Sequence, residues 1–148
     1  MCGKWCGIRS GRIDSRVVDV VEMTVHLQAR WFMALGALVA ALSVALSAAT
    51  AHVPALQQAG AAWAASLQQQ QFHALGLLLV GGLLEHRPNR WLMASAWLMI
   101  TGLVLFCLNI DLRILAGWEL ARALVPIGGG AFILSWCVAA IGVLIPRR

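Results

Sequence analysis

Two histidines, an asparagine and an aspartate hold most of the chemical potential of this sequence: His52, His73, Asn109 and Asp111. Imidazole nitrogens and a carboxylate are a donor set for a divalent metal, and the same groups can relay protons. His52 and His73 flank a Pro- and Gly-containing stretch, Ala51-His52-Val53-Pro54-Ala55-Leu56-Gln57-Gln58-Ala59-Gly60. They are therefore expected at the same end of two adjacent antiparallel helices. Asn109 and Asp111 follow a third apolar run and reach that end as well. An ionisable group at membrane depth is a functional candidate because placing it there is costly. The competing use of the four is helix capping and interhelical hydrogen bonding at the membrane surface. They come from separate segments and form no sequential motif.

Other chemistries find little support, and no metal or cofactor is expected. Haem ligation needs axial ligands facing each other inside a bundle, and the third and fourth apolar runs contain no His. Gly128-Gly129-Gly130 lacks the Lys and Ser/Thr of a phosphate-binding loop. No Ser, Thr or Cys stands beside a recognisable base, and no carboxylate pair has catalytic spacing, so the chain is expected not to be an enzyme. Cys2 and Cys6 form a single C-x3-C pair, while Cys107 and Cys137 lie in apolar runs. That is neither a disulfide framework nor a four-ligand zinc site. His26 and His86 fall in polar stretches and are expected to be solvated. Glu119 and Arg122 are expected to make a surface ion pair.

The elements that must position these residues follow from composition. Apolar residues make up 61% of the 148-residue chain and charged residues 11%, against about 25% charged in soluble domains. The mean hydropathy is +0.81. The net charge of +5 is not a nucleic-acid signature, because the basic residues sit at the edges of apolar blocks rather than on one face. The lipid bilayer is the expected surrounding.

No Asp, Glu, Lys or Arg occurs from residue 31 to residue 84, which is 54 positions. As a single helix that block would run about 80 Å, against a hydrocarbon core of about 30 Å, so it must fold back at the His52–Gly60 stretch. Four spans are predicted, at about 31–51, 61–84, 91–108 and 125–145, giving an all-α, four-transmembrane-helix bundle over residues 30–146. Gln68 to Gln71 point in every direction around a helix and are expected in the outer interfacial region. Asn109 to Arg122 is expected as a connection. Residues 1–29 are expected as a cytoplasmic extension outside the bundle, either disordered or forming a weak interfacial helix over 13–26, and 147–148 as a basic cytoplasmic end. Met23 could serve as an alternative initiator.

Basic residues set the orientation. With the amino terminus inside, the cytoplasmic segments hold five (the tail), two (Arg87, Arg90) and two (Arg147, Arg148), and the outer loops hold two (Arg113, Arg122). Both termini are therefore expected in the cytoplasm. Ala49-Thr50-Ala51 imitates a signal-peptidase site, but the apolar run before it is longer than a signal peptide requires. Arg30-Trp31-Phe32-Met33-Ala34 echoes Arg90-Trp91-Leu92-Met93-Ala94, which two independent interfacial anchors explain without a duplication.

Small residues mark where helices approach closely. Gly128, Ala131, Ser135, Ala139 and Gly142 form one narrow face in the fourth span, and Gly36, Ala40, Ser43 and Ser47 another in the first. Both are expected within the bundle as packing faces, a pore lining being the alternative, with Trp97 and Trp136 filling volume beside them. Such faces also suit a homo-oligomer or another membrane protein as partner.

The sequence resembles the domain of unknown function 423 family of small four-helix membrane proteins. The resemblance covers about Arg30 to Ile145. It rests on Ala51-His52, on Trp63 with Phe72-His73-Ala74-Leu75, on Gly102 to Phe106, and above all on Pro126-Ile127-Gly128-Gly129 followed by Phe132 and Trp136. The sequence departs from the family where Val53-Pro54 follow Ala-His, where Phe106-Cys107-Leu108-Asn109 ends the third span, and at Val125 and Ser135. These changes remove hydroxyls and glycines from the outer half. The resemblance implies a bacterial inner-membrane protein and brings no activity with it. A subunit of a transporter or channel is the alternative to a role in helix contacts, and a metal-dependent membrane enzyme ranks third.

Overall fold

The computed structural model describes residues 15–118 and 122–145. Side chains are described from residue 23 onward, together with that of Val20. The expectations for Cys2 and Cys6, for Glu119 and for Arg147 and Arg148 lie outside these residues.

In hydrocarbon a backbone can satisfy its polar groups within a helix. The described residues are helical almost throughout: α1 (Ser15–His52), a single turn α2 (Pro54–Gln57), α3 (Gly60–His86), α4 (Arg90–Gly102), a π-helical segment (Leu103–Leu108), α5 (Asn109–Ala116) and α6 (Leu124–Leu144). Among the described residues three stretches are long and apolar enough to cross a membrane: Met23–His52, Arg90–Ala116 and Leu124–Leu144. The glutamine run keeps α3 out of that group, although its 27 residues would reach about 40 Å.

Pro54 opens α2 at a position where its missing N–H costs nothing, and Gly60 turns the chain into α3 with a φ of 77°. From there α3 runs back along α1. Gly36 makes this approach possible, because a Cβ there would lie 2.8 Å from the Ala74 carbonyl. At the far end Gly81 sits against Ala29 and Met33. The α1–α3 seam is also polar. Trp63 Nε1 donates to Thr50 Oγ1 at 2.8 Å, and Gln71 Nε2 donates to Ser47 Oγ at 3.1 Å.

A second antiparallel pair joins α4 and its continuation to α6. Asn89 ties the pair together at the start of α4. Its Oδ1 accepts from the Trp91 N–H at 2.9 Å, and its Nδ2 donates to the Gly142 carbonyl at 2.8 Å. One side chain thus caps the start of α4 and satisfies a carbonyl near the end of α6. Midway, Ser95 Oγ donates to the Ser135 carbonyl at 2.9 Å. Further along, Gly128 lies against the backbone of Phe106. The two pairs meet where α3 packs on α4 and the π-helical segment. Leu77, Val80 and Leu84 of α3 share a core there with Leu92, Ala96 and Met99 of α4, completed by Phe32 and Ala139.

Several boundaries differ from the sequence reading. From Ser15, the first residue described, α1 passes without a break into the first apolar run, so the described part of the expected interfacial helix and the first span are one rod. Ala29 is fully buried, and His26 Nδ1 lies 3.4 Å from Glu85 Oε2. This last turn before the apolar run therefore packs on α3 instead of standing free in solvent. The third run does not end at Leu108, since helical backbone continues to Ala116, where Gly117 stops it with a φ of 67°. Asn109 and Asp111 are consequently helical residues and buried, not part of a connection.

The two small-residue faces point at different partners. Gly128, Ala131, Ser135, Ala139 and Gly142 are all buried on α6. On α1, Gly36 and Ser43 are buried and Ala40 and Ser47 half-buried, on the α3 side. Outside, large apolar side chains are exposed, among them Leu38, Val44, Leu79, Ile133 and Leu144. Trp97 is one of these, contacting the edge of Phe32 at 5.4 Å between ring centroids. Trp136 is half-buried and covers Gly76, where a Cβ would come within 2.8 Å of its ring.

Candidate functional site

Apart from Ser95 and Ser135 between α4 and α6, the buried polar residues described gather in the half of the molecule that carries the α1–α3 turn. α3 supplies Ser66, Gln70 and His73, one helical turn apart each, and all three are buried. The α3 backbone places them on the inner face with Trp63, Leu67, Ala74 and Leu77, while Phe72, Leu75 and Leu79 face outward.

Asp111 is the centre. Its Oδ1 accepts from Ser66 Oγ at 2.7 Å, and its Oδ2 accepts from Gln70 Nε2. The other end of the Gln70 amide, Oε1, lies 3.1 Å from Ser43 Oγ on α1. Three separate stretches are thereby linked side chain to side chain, from Ser43 through Gln70 to Asp111 and back to Ser66. Cys107 adds to the group: its carbonyl lies 3.3 Å from Ser66 Oγ, and its thiol donates to the Ser66 carbonyl at 3.6 Å. Asn109 is buried next to these residues in the chain and also has a partner.

Cys107 and Asp111 share a face because residues four apart do so in any helix; an α-helix drifts by about 40° over each such step, and the wider π turn takes up that drift over the longer run from Leu103 to Asp111. Leu103, Cys107 and Asp111 are all buried at this spacing. π turns inside α-helices are frequent at functional sites.

His73 lies a turn beyond Gln70 and belongs to a second, aromatic group. Its Nε2 accepts from Trp136 Nε1–H at 3.1 Å, so Nδ1 carries the proton donated to the Gln69 carbonyl at 2.9 Å. Its ring stacks on Phe132, with centroids 3.6 Å apart and planes at 16°. Phe132 in turn occupies the space left by the missing side chain of Gly102. A groove of about 350 Å³ runs over this group, lined in part by Gln69, Phe106, Gly129 and Ile133.

The four residues singled out in the sequence do not converge. His52 ends α1 exposed, with no contact to His73. His73 is held by Trp136 and Gln69, whereas Asp111 is held by Ser66 and Gln70. Among the described residues no group of three His, Cys, Asp or Glu side chains is placed to hold a metal ion. Ser66 and Gln70 escaped the sequence reading. Gln68 to Gln71 do not all sit at the surface, because Gln70 is 3% exposed. The available signal was the spacing of Ser66, Gln70, His73 and Leu77, which is the inner face of a helix.

Comparison with known sequences assigns this architecture to a family. The family described as "Protein of unknown function (DUF423)" matches residues 46–129, from the last turns of α1 to the start of α6. The chain belongs to the DUF423 family. The matched stretch contains Ser66, Gln70, His73, Cys107 and Asp111 of this family member. It is 33% identical to the UPF0382 membrane protein YwdK of Bacillus subtilis over 116 residues, covering 74% of this chain and 93% of YwdK. It is 31% identical to the UPF0382 membrane protein SERP0230 of Staphylococcus epidermidis, covering 76% and 94%. It is 26% identical to the UPF0382 inner membrane protein YgdD of Escherichia coli, covering 82% and 95%. No solved structure matches this family member.

Proposed function

We propose that this chain is a four-crossing protein of the bacterial inner membrane, with both termini cytoplasmic, that works through helix contacts and not by catalysis. Its partners are a second copy or another membrane protein. One observation carries the fourth crossing: α3 turns Ser66, Gln70 and His73 inward and Phe72, Leu75 and Leu79 outward. A helix whose polar side chains are paired within the protein and whose outer face is apolar suits hydrocarbon despite its modest hydropathy. With α3 as a span, the basic residues Arg30, Arg87, Arg90, Arg147 and Arg148 gather on one side, which the positive-inside rule makes the cytoplasm. The name of YgdD as an inner membrane protein supports the same location. A contact role fits the engaged state of the interior, where the carboxylate and His73 are both held by neighbouring side chains.

Cysteine labelling with a membrane-impermeant reagent tests the topology. Single cysteines in the Pro54–Gly60 turn are expected to react from the outside, and those in the Glu85–Arg90 turn and at the carboxyl terminus only after permeabilisation. Labelling of the two turns from the same side would overturn the fourth crossing. Crosslinking in native membranes tests the contact role, and a strictly monomeric species without partners would count against it.

A further inference from the structure

A carboxylate within a membrane-spanning helix needs either a positive charge beside it or a proton of its own. Asp111 lies five residues before the end of the apolar stretch Arg90–Ala116, about 8 Å inside it by helical rise. It is 6% exposed, and no basic side chain lies within ion-pair distance of it among the described residues. The groups around it come from every element it packs against. α3 brings Ser66 and Gln70, with His73 a turn beyond. α1 brings Ser43 through Gln70. The chain just before Asp111 brings Cys107, and Arg113 two residues on is half-buried without an ion pair to it. α6 carries no Asp, Glu, Lys, Arg or His along its length.

The group is also short of protons. Ser66 Oγ–H has a single proton and two acceptors in reach, Asp111 Oδ1 at 2.7 Å and the Cys107 carbonyl at 3.3 Å. Ser43 Oγ–H likewise faces both the Val39 carbonyl at 2.8 Å and Gln70 Oε1 at 3.1 Å. With an ionised Asp111, oxygen lone pairs outnumber the hydrogens available to them. A buried carboxylate with no basic partner is a place where a cation can supply the missing charge, and hard cations take oxygen ligands. Cys107 stands in the π-helical segment, and π turns inside α-helices are frequent at functional sites.

We propose that Asp111, Ser66, Gln70 and the Cys107 carbonyl form a binding site for one small monovalent cation, sodium, taken up in exchange for the carboxyl proton. The exchange balances: the carboxyl O–H gives its proton to water, and the carboxylate accepts the ion. Gln70 can serve both states, since turning its amide over presents Oε1 to the ion and Nε2 to Ser43. The site goes beyond the contact role and is tested separately from it.

The test is carbodiimide labelling of the purified full-length chain in detergent, across a pH series, in sodium chloride or in choline chloride of equal strength. Carbodiimide adds to a protonated carboxyl group, so the modified Asp111 peptide read by mass spectrometry reports the proton-filled site. Sodium is expected to reduce labelling about tenfold at ten times its Kd, while choline leaves it unchanged. Asp111→Asn should give no labelled peptide at this position. Ser66→Ala should label in choline but lose most of the protection by sodium. Should Ser66→Ala fail to fold, the unmodified chain provides a second readout, since sodium should raise its melting temperature at neutral pH and choline should not. Equal labelling in the two salts at every pH would overturn the site. So would absence of labelling together with salt-independent melting.

Discussion

Replacing Gly128 by alanine adds one methyl group where the backbone leaves no room for it. A Cβ at this position would lie 2.6 Å from the Phe106 nitrogen, 2.9 Å from the Phe106 Cβ and 3.0 Å from the Leu105 carbonyl carbon. Two of these three atoms are backbone of the π-helical segment and cannot rotate aside, so α6 must retreat by up to about 1 Å to restore ordinary contact. Overpacking of this kind costs about 1–3 kcal/mol. Gly130 provides an internal control. It lies two residues away on the same helix and is exposed, and a Cβ there would meet nothing within 4 Å. The gain in helix propensity on replacing Gly by Ala, up to about 1 kcal/mol, is common to both positions. The difference between Gly128→Ala and Gly130→Ala therefore isolates the steric cost, about 1–3 kcal/mol. The assay is heating in mild detergent followed by size-exclusion detection of the remaining folded protein. Gly130→Ala should match or exceed the unmodified chain, and Gly128→Ala should melt several degrees below Gly130→Ala. Coincident melting of the two variants would refute the close approach of α6 to the π-helical segment.

Two further outcomes follow from named contacts. Asn89→Ala removes both the cap on α4 and the partner of the Gly142 carbonyl, an expected loss of about 2 kcal/mol in the same heating assay, whereas Asn89→Ser should recover the cap share of about 1 kcal/mol. His73→Phe keeps a ring on Phe132 but removes the acceptor for Trp136 and the donor to Gln69, at an expected cost of about 1–3 kcal/mol. His73→Gln should recover part of that, because an amide oxygen can accept from the indole N–H, and equal melting of the two variants would argue against the His73–Trp136 bond.

The helices were legible because their signals are local. The uncharged block, the Pro54–Gly60 turn and the Arg90-Trp91 start mark ends that the structure places within a few residues. The polar centre was less legible because it depends on which residues face inward across three stretches. Asp111 looked like part of a connection because Asp, Asn and Arg follow Leu108, yet Asn109–Ala116 is helical and its Asn109 and Asp111 are buried. Gln70 was hidden inside a run of four identical residues, and only one of them is paired with an aspartate. His52 and His73 share an end of the chain's topology, but His52 closes a helix in solvent-accessible space while His73 lies under Phe132. Spacing along the chain gave the end of the molecule and could not give the direction of the side chains.

The wide turn at Leu103–Leu108 amounts to a frame slip along a single rod. Each residue advances an α-helix by about 100°, so one residue fewer in that turn would swing everything beyond it by about a quarter of a circle. Leu108 and Leu112 would then take the positions held by Cys107 and Asp111, and the acid would turn away from Ser66 and Gln70 to the place of Ile110. The count of residues between Gly102 and Asp111 thus matters as much as their identity. A relative that kept every polar residue but lost one position there would have no polar centre at all.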